Sequence, residues 1–288
     1  MRTAITLTVI WSIAALIAFA GSDGSVSVGW LPLFALCVLI AFVMQWLAFI
    51  PSWLLRTEKF YDLTGGITYV ALMVLILATL PGAPARAVLI GGLVSVWAVR
   101  LSSFLFMRIS NDGFDRRFDK IKTNFGRLFI TWNLQALWVS VTAGAAMAAM
   151  SSAQPQALGW PAALGVTIWL IGFIIEATAD AQKRRFRATA NKDQEFIQTG
   201  LWAYSQHPNY FGEIVLWCGI ALIAVPALSG LSYLTLISPI FVYLLLTRIS
   251  GINLLDAAAK KRWGDNEAFQ KYKRSTATLV PSRPKATD

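Results

Sequence analysis

Glu176 and Asp180 stand four residues apart, and Arg184 and Arg187 continue the same stripe. At that spacing all four side chains line one side of a helix. The span Gly159–Ala179, which holds Glu176, is otherwise apolar, so the stripe would run out of hydrocarbon into water. Such a stripe suits a polar ligand straddling a membrane interface. It equally suits i, i+4 ion pairs with arginines reaching for headgroups. Ionisable groups at membrane depth are costly, which makes each of them a functional candidate.

A second constellation is the run Gly200-Leu201-Trp202-Ala203-Tyr204-Ser205-Gln206-His207-Pro208-Asn209-Tyr210-Phe211-Gly212-Glu213. Pro208 predicts a helix N-terminus, with Asn209, Tyr210 and Glu213 in its first turns. Free N–H groups and the positive end of the helix dipole favour a phosphate or carboxylate there. Glu213 then lies one turn into the membrane, on about the same side as Tyr210 and Trp217. A buried carboxyl beside a tyrosine, kept protonated by burial, would polarise a carbonyl. The plainer reading makes Glu213 a helix-packing hydrogen bonder and His207 a cap or turn residue. Arg100 lies deep in an apolar run and needs a partner. The loop Arg108–Arg117, with Arg116 and Arg117, fits either phosphate contact or solvation. Glu58, Tyr61, Asp62 and Tyr69 bring acid and phenol groups to the start of another apolar run, and spacing assigns them no role.

The elements that must position these groups follow from composition. The 288 residues are 56% hydrophobic and 14% charged, with a mean hydropathy of +0.58, far from the roughly 25% charged content of soluble domains. About 20 apolar residues cross a bilayer as a helix. Windows of that kind fall near Thr3–Ala20, Leu31–Ile50, Leu63–Leu80, Ala87–Met107, Leu128–Met150, Gly159–Ala179, Tyr210–Leu228 and Leu231–Thr247. The expected fold is an all-α polytopic integral membrane helix bundle with seven to eight transmembrane helices. Pro226 and Pro239 interrupt the last two windows, which predicts a broken or re-entrant helix there. The first window, ending Ala18-Phe19-Ala20, also resembles a signal peptide with its cleavage site.

Charge orients the bundle. The connections Gly21–Trp30, Pro81–Arg86, Ser151–Trp160 and Ser229–Gly230 carry one basic residue, Arg86, while Ser52–Asp62, Arg108–Arg127, Asp180–Gln206 and the tail from Arg248 carry nearly all the others. Basic loops stay cytoplasmic, which places both termini in the cytoplasm. A net charge of +10 is accounted for by topology and anionic lipid, so no nucleic-acid partner is expected. The partners expected instead are the bilayer and a lipophilic small molecule. Residues 1–255 read as the transmembrane bundle and 256–288 as a cytoplasmic tail, amphipathic over Ala257–Tyr272, with Trp263, Phe269 and Tyr272 at the interface or folded back. Cys37 and Cys218 each sit in an apolar run and there is one histidine. A disulfide framework, a CxxC site and a His-rich metal centre are thereby excluded, and no metal is expected. Nucleotide-loop and metalloprotease motifs are also absent.

The second half, about residues 165–281, resembles the steroid 5α-reductase superfamily, particularly its uncharacterised bacterial branch. It is more distantly similar to isoprenylcysteine carboxyl methyltransferases. The likeness rests on the block Gly200–Glu213, on Asp180 with Arg184 and Arg187 at a helix end, and on Trp263-Gly264, Phe269, Tyr272-Lys273-Arg274 and Pro281. It implies a membrane reductase in the bacterial inner membrane that binds NADPH from the cytoplasmic side. Hydride would be added to a carbon–carbon double bond conjugated to a carbonyl in a lipophilic, steroid-like or isoprenoid substrate. Carried over, Asp180, Arg184, Arg187, Tyr204, Asn209, Tyr210 and Glu213 contact the cofactor, and Arg274 is a looser match near its phosphates. The carbonyl-polarising acid and phenol of the steroid reductases have no aligned counterpart, leaving Glu213 and Tyr210, or Glu58, Tyr61 and Asp62. The His-Pro-x-Tyr-x-Gly pattern shared with the methyltransferases keeps open S-adenosylmethionine and methyl transfer to a lipidic substrate. A non-enzymatic transporter or assembly factor is the third reading.

Overall fold

The computed structural model describes residues 2–113, 118–190 and 195–285. Arg116 and Arg117 lie outside the described residues. The helices are α1 (Arg2–Gly21), α2 (Leu33–Leu55), α3 (Tyr61–Thr79), α4 (Ala85–Asp112), α5 (Phe125–Thr142), α6 (Gly144–Met150), α7 (Trp160–Thr189), α8 (Pro208–Ala224), α9 (Ile237–Leu244), α10 (Ile252–Trp263) and α11 (Glu267–Ser275). Two-residue strands β1 (Ser27–Val28) and β2 (Leu31–Pro32) pair antiparallel just before α2. Among the described residues, seven helical segments are long and apolar enough to cross a membrane. The protein is an all-α polytopic membrane protein. Leu16, Phe19, Leu47 and Leu54 lie on its exterior, where acyl chains rather than water are the compatible solvent.

The chain divides into two compact units, Met1–Ala163 with Ala221–Ser238, and Leu164–Ile220 with Pro239–Asp288. In unit 1 the predicted window Leu128–Met150 is not one continuous helix, because it breaks at Ala143 into α5 and α6. At the break the Ser238 hydroxyl donates to the Thr142 carbonyl, and the segment leading to it is polar. Asn133, Gln135, Ser140 and Thr142 are all buried, and Asn133 Oδ1 accepts from the indoles of Trp11 at 2.9 Å and Trp46 at 3.1 Å. A segment with these groups needs protein around it, not lipid. The pair nevertheless runs from one end of the unit to the other. At the start of α5, Lys122 meets Glu58 at 2.9 Å and the Tyr61 hydroxyl donates to the Thr131 carbonyl at 3.1 Å. Beyond α6, Val26 N donates to Ser151 O at 2.7 Å and Ala153 N to Gly24 O at 2.8 Å.

The far end of unit 1 gathers all four of the connections poor in basic residues. Arg86, buried at the start of α4, donates to the carbonyls of Gln156 at 3.3 Å, Ala157 at 2.6 Å and Ile223 at 2.5 Å. The one cation in those connections is thus spent on backbone acceptors, one of them at the C-terminus of α8, where the helix dipole favours it. Asp23 accepts from Leu231 N at 2.7 Å, which brings in the Ser229–Gly230 turn.

The last predicted window begins as a 3-10 turn over Gly230–Leu236, continues as α9 and ends in a π turn over Leu245–Ile249. A broken helix is expected for one of the last two windows, and the last one is broken. Pro239 falls third in α9, where a missing N–H costs no intrahelical bond. The tail forms two helices rather than one amphipathic stretch, because Asn266 accepts from Phe269 N at 3.1 Å and so caps α11. Of the two placements expected for its aromatics, folding back is the one observed. Trp263, Phe269 and Tyr272 surround Phe196, with centroid separations of 6.0, 5.1 and 5.5 Å.

Candidate functional site

In unit 2, α7 and α8 cross antiparallel with no side chain between them. A Cβ on Gly172 would stand 2.5 Å from Leu216 N and 2.6 Å from Gly212 O; one on Gly212 would stand 2.6 Å from Glu176 N; one on Gly219 would stand 2.6 Å from Gly165 O. Glycines spaced by seven on each helix therefore form the seam, as small residues do where membrane helices pack closely. The crossing puts the acidic residues in layers. Glu176 and Glu213, both buried, spring from the layer of Gly212. One turn further along α7, Asp180 reaches the start of α8, where the Asn209 amide donates to its Oδ1 at 3.3 Å. Asp180 is only 5% exposed and Glu176 only 2%, so burying these carboxyls demands partners.

The rest of the predicted stripe behaves as a helix leaving the membrane should. Arg184 and Arg187 are exposed on the last turns of α7, Arg274 is exposed on α11, and Tyr204 is exposed in the loop before α8. Tyr210 is half-buried, one turn ahead of Glu213.

The loop before α8 is docked on α7 by residues to which sequence reasoning assigned no role. Gly200 adopts φ +63° against Gln182, a left-handed conformation that favours glycine. Gln182 Oε1 accepts from Leu201 N at 2.9 Å, and the Trp202 indole donates to Ala179 O at 3.1 Å. Lys183 Nζ lies 4.4 Å from the Trp202 ring. These contacts flank Asp180 on both sides. The Gly-Leu-Trp of the block carried the signal for this docking, and its partner Gln182 carried none.

A second set of contacts joins the block to the tail, and spacing gave no sign of them. Gln206 donates to the carbonyls of Lys273 at 3.2 Å and Thr276 at 2.6 Å, Ser205 to Leu279 O at 2.7 Å, and Tyr272 to Trp202 O at 2.8 Å. Burial raises the Tyr272 phenol well above its ordinary value, which keeps it a donor. His207 stacks on Tyr210 with centroids 5.6 Å apart and planes 12° from parallel. Its Nε2 is 3.7 Å from Asp256 Oδ1, which also receives Lys273 Nζ at 2.9 Å. Burial holds the imidazole below its ordinary value; Asp256 opposes this, and Lys183 and Lys273 reinforce it.

Unit 1 holds the other predicted candidates. Glu58 is 4% exposed and paired with Lys122. Tyr61 packs its ring against Phe118 and Trp132, each at 5.1 Å, and Asp62 lies beside it in the first turn of α3. Structure thus brings Glu58, Tyr61 and Asp62 together in unit 1, and Asp180, Asn209, Tyr210 and Glu213 together in unit 2. An open pocket lined by Gly24, Ser152 and Ser229 contains no titratable side chain. No group of three His, Cys, Asp or Glu side chains able to hold a metal occurs among the described residues.

Fold and site define a polytopic helical membrane protein with a buried acid–amide cluster where two spans cross on a glycine seam. Residues 48–276 match the family model described as "Protein of unknown function (DUF1295)", and the chain belongs to that family. It is 32% identical over 117 residues to 3-oxo-5-alpha-steroid 4-dehydrogenase 1 of Rattus norvegicus, covering 41% of this chain and 40% of that protein. It is 34% identical over 128 residues to Delta(14)-sterol reductase ERG24 of Saccharomyces cerevisiae, covering 39% of this chain and 25% of that protein. Delta(14)-sterol reductase LBR of Gallus gallus is 33% identical over 76 residues, covering 22% of this chain and 12% of that protein. These relatives are consistent with the steroid 5α-reductase superfamily. The chain spans about two fifths of the rat relative and a quarter of the yeast one. No solved structure matches it.

Proposed function

We propose that this chain is an integral-membrane, NADPH-dependent reductase of a carbon–carbon double bond conjugated to a carbonyl in a lipophilic, steroid-like or isoprenoid substrate. The observation that carries the reading is the contact between Asp180 and Asn209. It joins the two segments on which the likeness to the reductases rests, at the start of α8, where the helix dipole favours an anion. The names of the relatives supply the reaction class.

The residues present suit the cofactor. Exposed Arg184, Arg187 and Arg274 offer the planar donor forks that hold phosphates. Asp180, Asn209 and Tyr210, with Tyr204 beside them in the loop, offer the mixed donors and acceptors that hydroxyl and amide groups need. NADPH supplies a hydride when bound. The chain's own part is to orient it, to exclude water, and to place an acid or phenol on the substrate carbonyl. Glu213 and Tyr210 are the candidates in unit 2, and Glu58, Tyr61 and Asp62 those in unit 1. The basic connections face the cytoplasm of a bacterial inner membrane in this reading, where NADPH is available.

The test is a thermal-shift titration of detergent-purified protein with NADPH, NADH and S-adenosylmethionine. A ligand bound only by the native state stabilises it by about 2.7 kcal/mol at one hundred times its Kd. The expected result is a shift selective for NADPH that Asn209→Ala abolishes, followed by reduction of enones that Glu213→Gln impairs. A shift with S-adenosylmethionine alone replaces the reading with methyl transfer. No shift with any of the three removes both enzymatic readings and leaves the transporter or assembly role.

A further inference from the structure

His207 lies outside every role assigned above, yet its surroundings are built. The ring is 6% exposed, and both nitrogens are buried without a hydrogen-bond partner among the described residues. Burying an imidazole in that condition costs free energy. It stacks on Tyr210 with the two planes nearly parallel. Its Nε2 points to Asp256 on α10, at ion-pair range rather than hydrogen-bond distance. Asp256 is in turn held by Lys273 on α11 at 2.9 Å. The backbone of His207 is fixed as well, since its N–H donates to Ser205 Oγ at 3.1 Å, and Ser205 Oγ donates to Leu279 O of the tail.

A continuous chain of contacts therefore runs from the C-terminal helices to Tyr210. We infer that His207, tethered through Asp256 and Lys273, is a positioning residue that sets the ring of Tyr210, so that α10 and α11 are a working part of the cofactor site. This rests on the assignment of Tyr210 to that site. A tyrosine side chain has a few staggered rotamers open to it; the stack on a second ring, itself anchored from the tail and its two helices, favours one of them. The charged groups facing His207 are Lys183 from α7, Asp256 from α10 and Lys273 from α11. A protonated imidazole would compete with Lys273 for the same carboxylate oxygen, Asp256 Oδ1, and meet two like charges. The tether thus serves the neutral ring.

The experiment exploits the single histidine of the chain, which gives one set of imidazole signals in a ¹⁵N spectrum of the full-length protein in micelles. Tyr210→3-fluorotyrosine supplies a ¹⁹F reporter on the stacked ring, and NADPH affinity is measured on the same preparations. The expected result has three parts. The ¹⁹F signal moves with the pH midpoint of the imidazole. It also moves in Asp256→Asn. In that variant NADPH binds about tenfold more weakly, the scale of one lost charge-assisted contact. Asp256 is 39% exposed, so Asp256→Asn is expected to fold; should it not, Lys273→Met breaks the same tether. A ¹⁹F signal indifferent to both pH and the variants overturns the inference whatever NADPH does. A ¹⁹F response with unchanged affinity overturns the functional half of it. Wild-type protein that takes no NADPH overturns the cofactor assignment, and the ¹⁹F response then shows separately whether the tether exists.

Discussion

Asp180 and Asn209 are 29 residues apart in sequence and 3.3 Å apart in space, and both stand out in the sequence because polar groups at the edge of an apolar run are expensive. Their juxtaposition does not. It depends on Gln182 and Trp202 docking the intervening loop, through side chains whose types suggest no partner. His207 is the plainest case of this limit. A histidine before a proline reads as a cap or turn residue, and its carbonyl accepts from Phe211 N at 3.1 Å at the start of α8, but the stack on Tyr210 and the approach to Asp256 need a tail that folds back from 49 residues away. Its burial has a measurable consequence. The folded-state imidazole binds its proton more weakly than the unfolded one, whose pKa is about 6.5, so below that pH the unfolded state takes up more protons. The sign follows: this contribution to stability is intact above about pH 6.5 and is lost as the pH falls towards the folded value. Thermal midpoints of the wild type should drop over that interval relative to His207→Phe, which keeps a flat ring and has nothing to titrate. Equal pH profiles for the two proteins would contradict the burial argument.

At the scale of elements, the apolar windows predicted where most helices lie, because hydrocarbon forces the backbone to satisfy itself and leaves a run of fixed length as the trace. The windows failed where protein replaces lipid as the surroundings. The break at Ala143 and the capped start of α11 at Asn266 are settled by local polar contacts that hydropathy does not register. The glycine seam between α7 and α8 was open to reading in retrospect, since Gly165 and Gly172, and Gly212 and Gly219, repeat at seven, but nothing in either helix names the other as its partner. Gly212→Ala tests it. Alanine gains about 1 kcal/mol of helix propensity over glycine, whereas its Cβ would stand 2.6 Å from the backbone at Glu176 and Gly172, and overpacking costs about 1–3 kcal/mol. Backbone cannot rotate away as a side chain can, so the cost should win. The expected outcome is a lower thermal midpoint together with a weaker NADPH shift, because Glu176, Asp180, Asn209 and Glu213 are set by the same crossing. Gly92→Ala is the control: a Cβ there meets nothing within 4 Å, and the variant should be neutral or slightly stabilised by the propensity term alone. If Gly212→Ala melted like Gly92→Ala, the seam would not be the element that holds the site.

For the whole molecule, the charge pattern and the contacts of unit 1 arrive independently at one arrangement. Positive-inside reasoning groups Gly21–Trp30, Pro81–Arg86, Ser151–Trp160 and Ser229–Gly230 on one side because they lack free cations. Hydrogen bonds through Asp23, Val26, Arg86 and Ala153 gather the same four connections at one end. The agreement needs α5 and α6 to make a full crossing despite their polar cargo, and their end-to-end run supplies it. Which end meets the cytoplasm is then a matter of charge, since anionic lipid and insertion both retain Lys and Arg on that side. Single cysteines decide it. The native thiols are free, Cys37 buried and Cys218 exposed, so both are first replaced by alanine. Gln154→Cys marks the end poor in cations and Ser282→Cys marks the tail. A membrane-impermeant maleimide added to intact cells should label position 154 and spare position 282, and inside-out vesicles should reverse the result. Labelling of the tail from outside would put Arg184, Arg187 and Arg274 away from the cytoplasmic NADPH pool. The reductase reading would then lose its cofactor supply even with the site geometry intact.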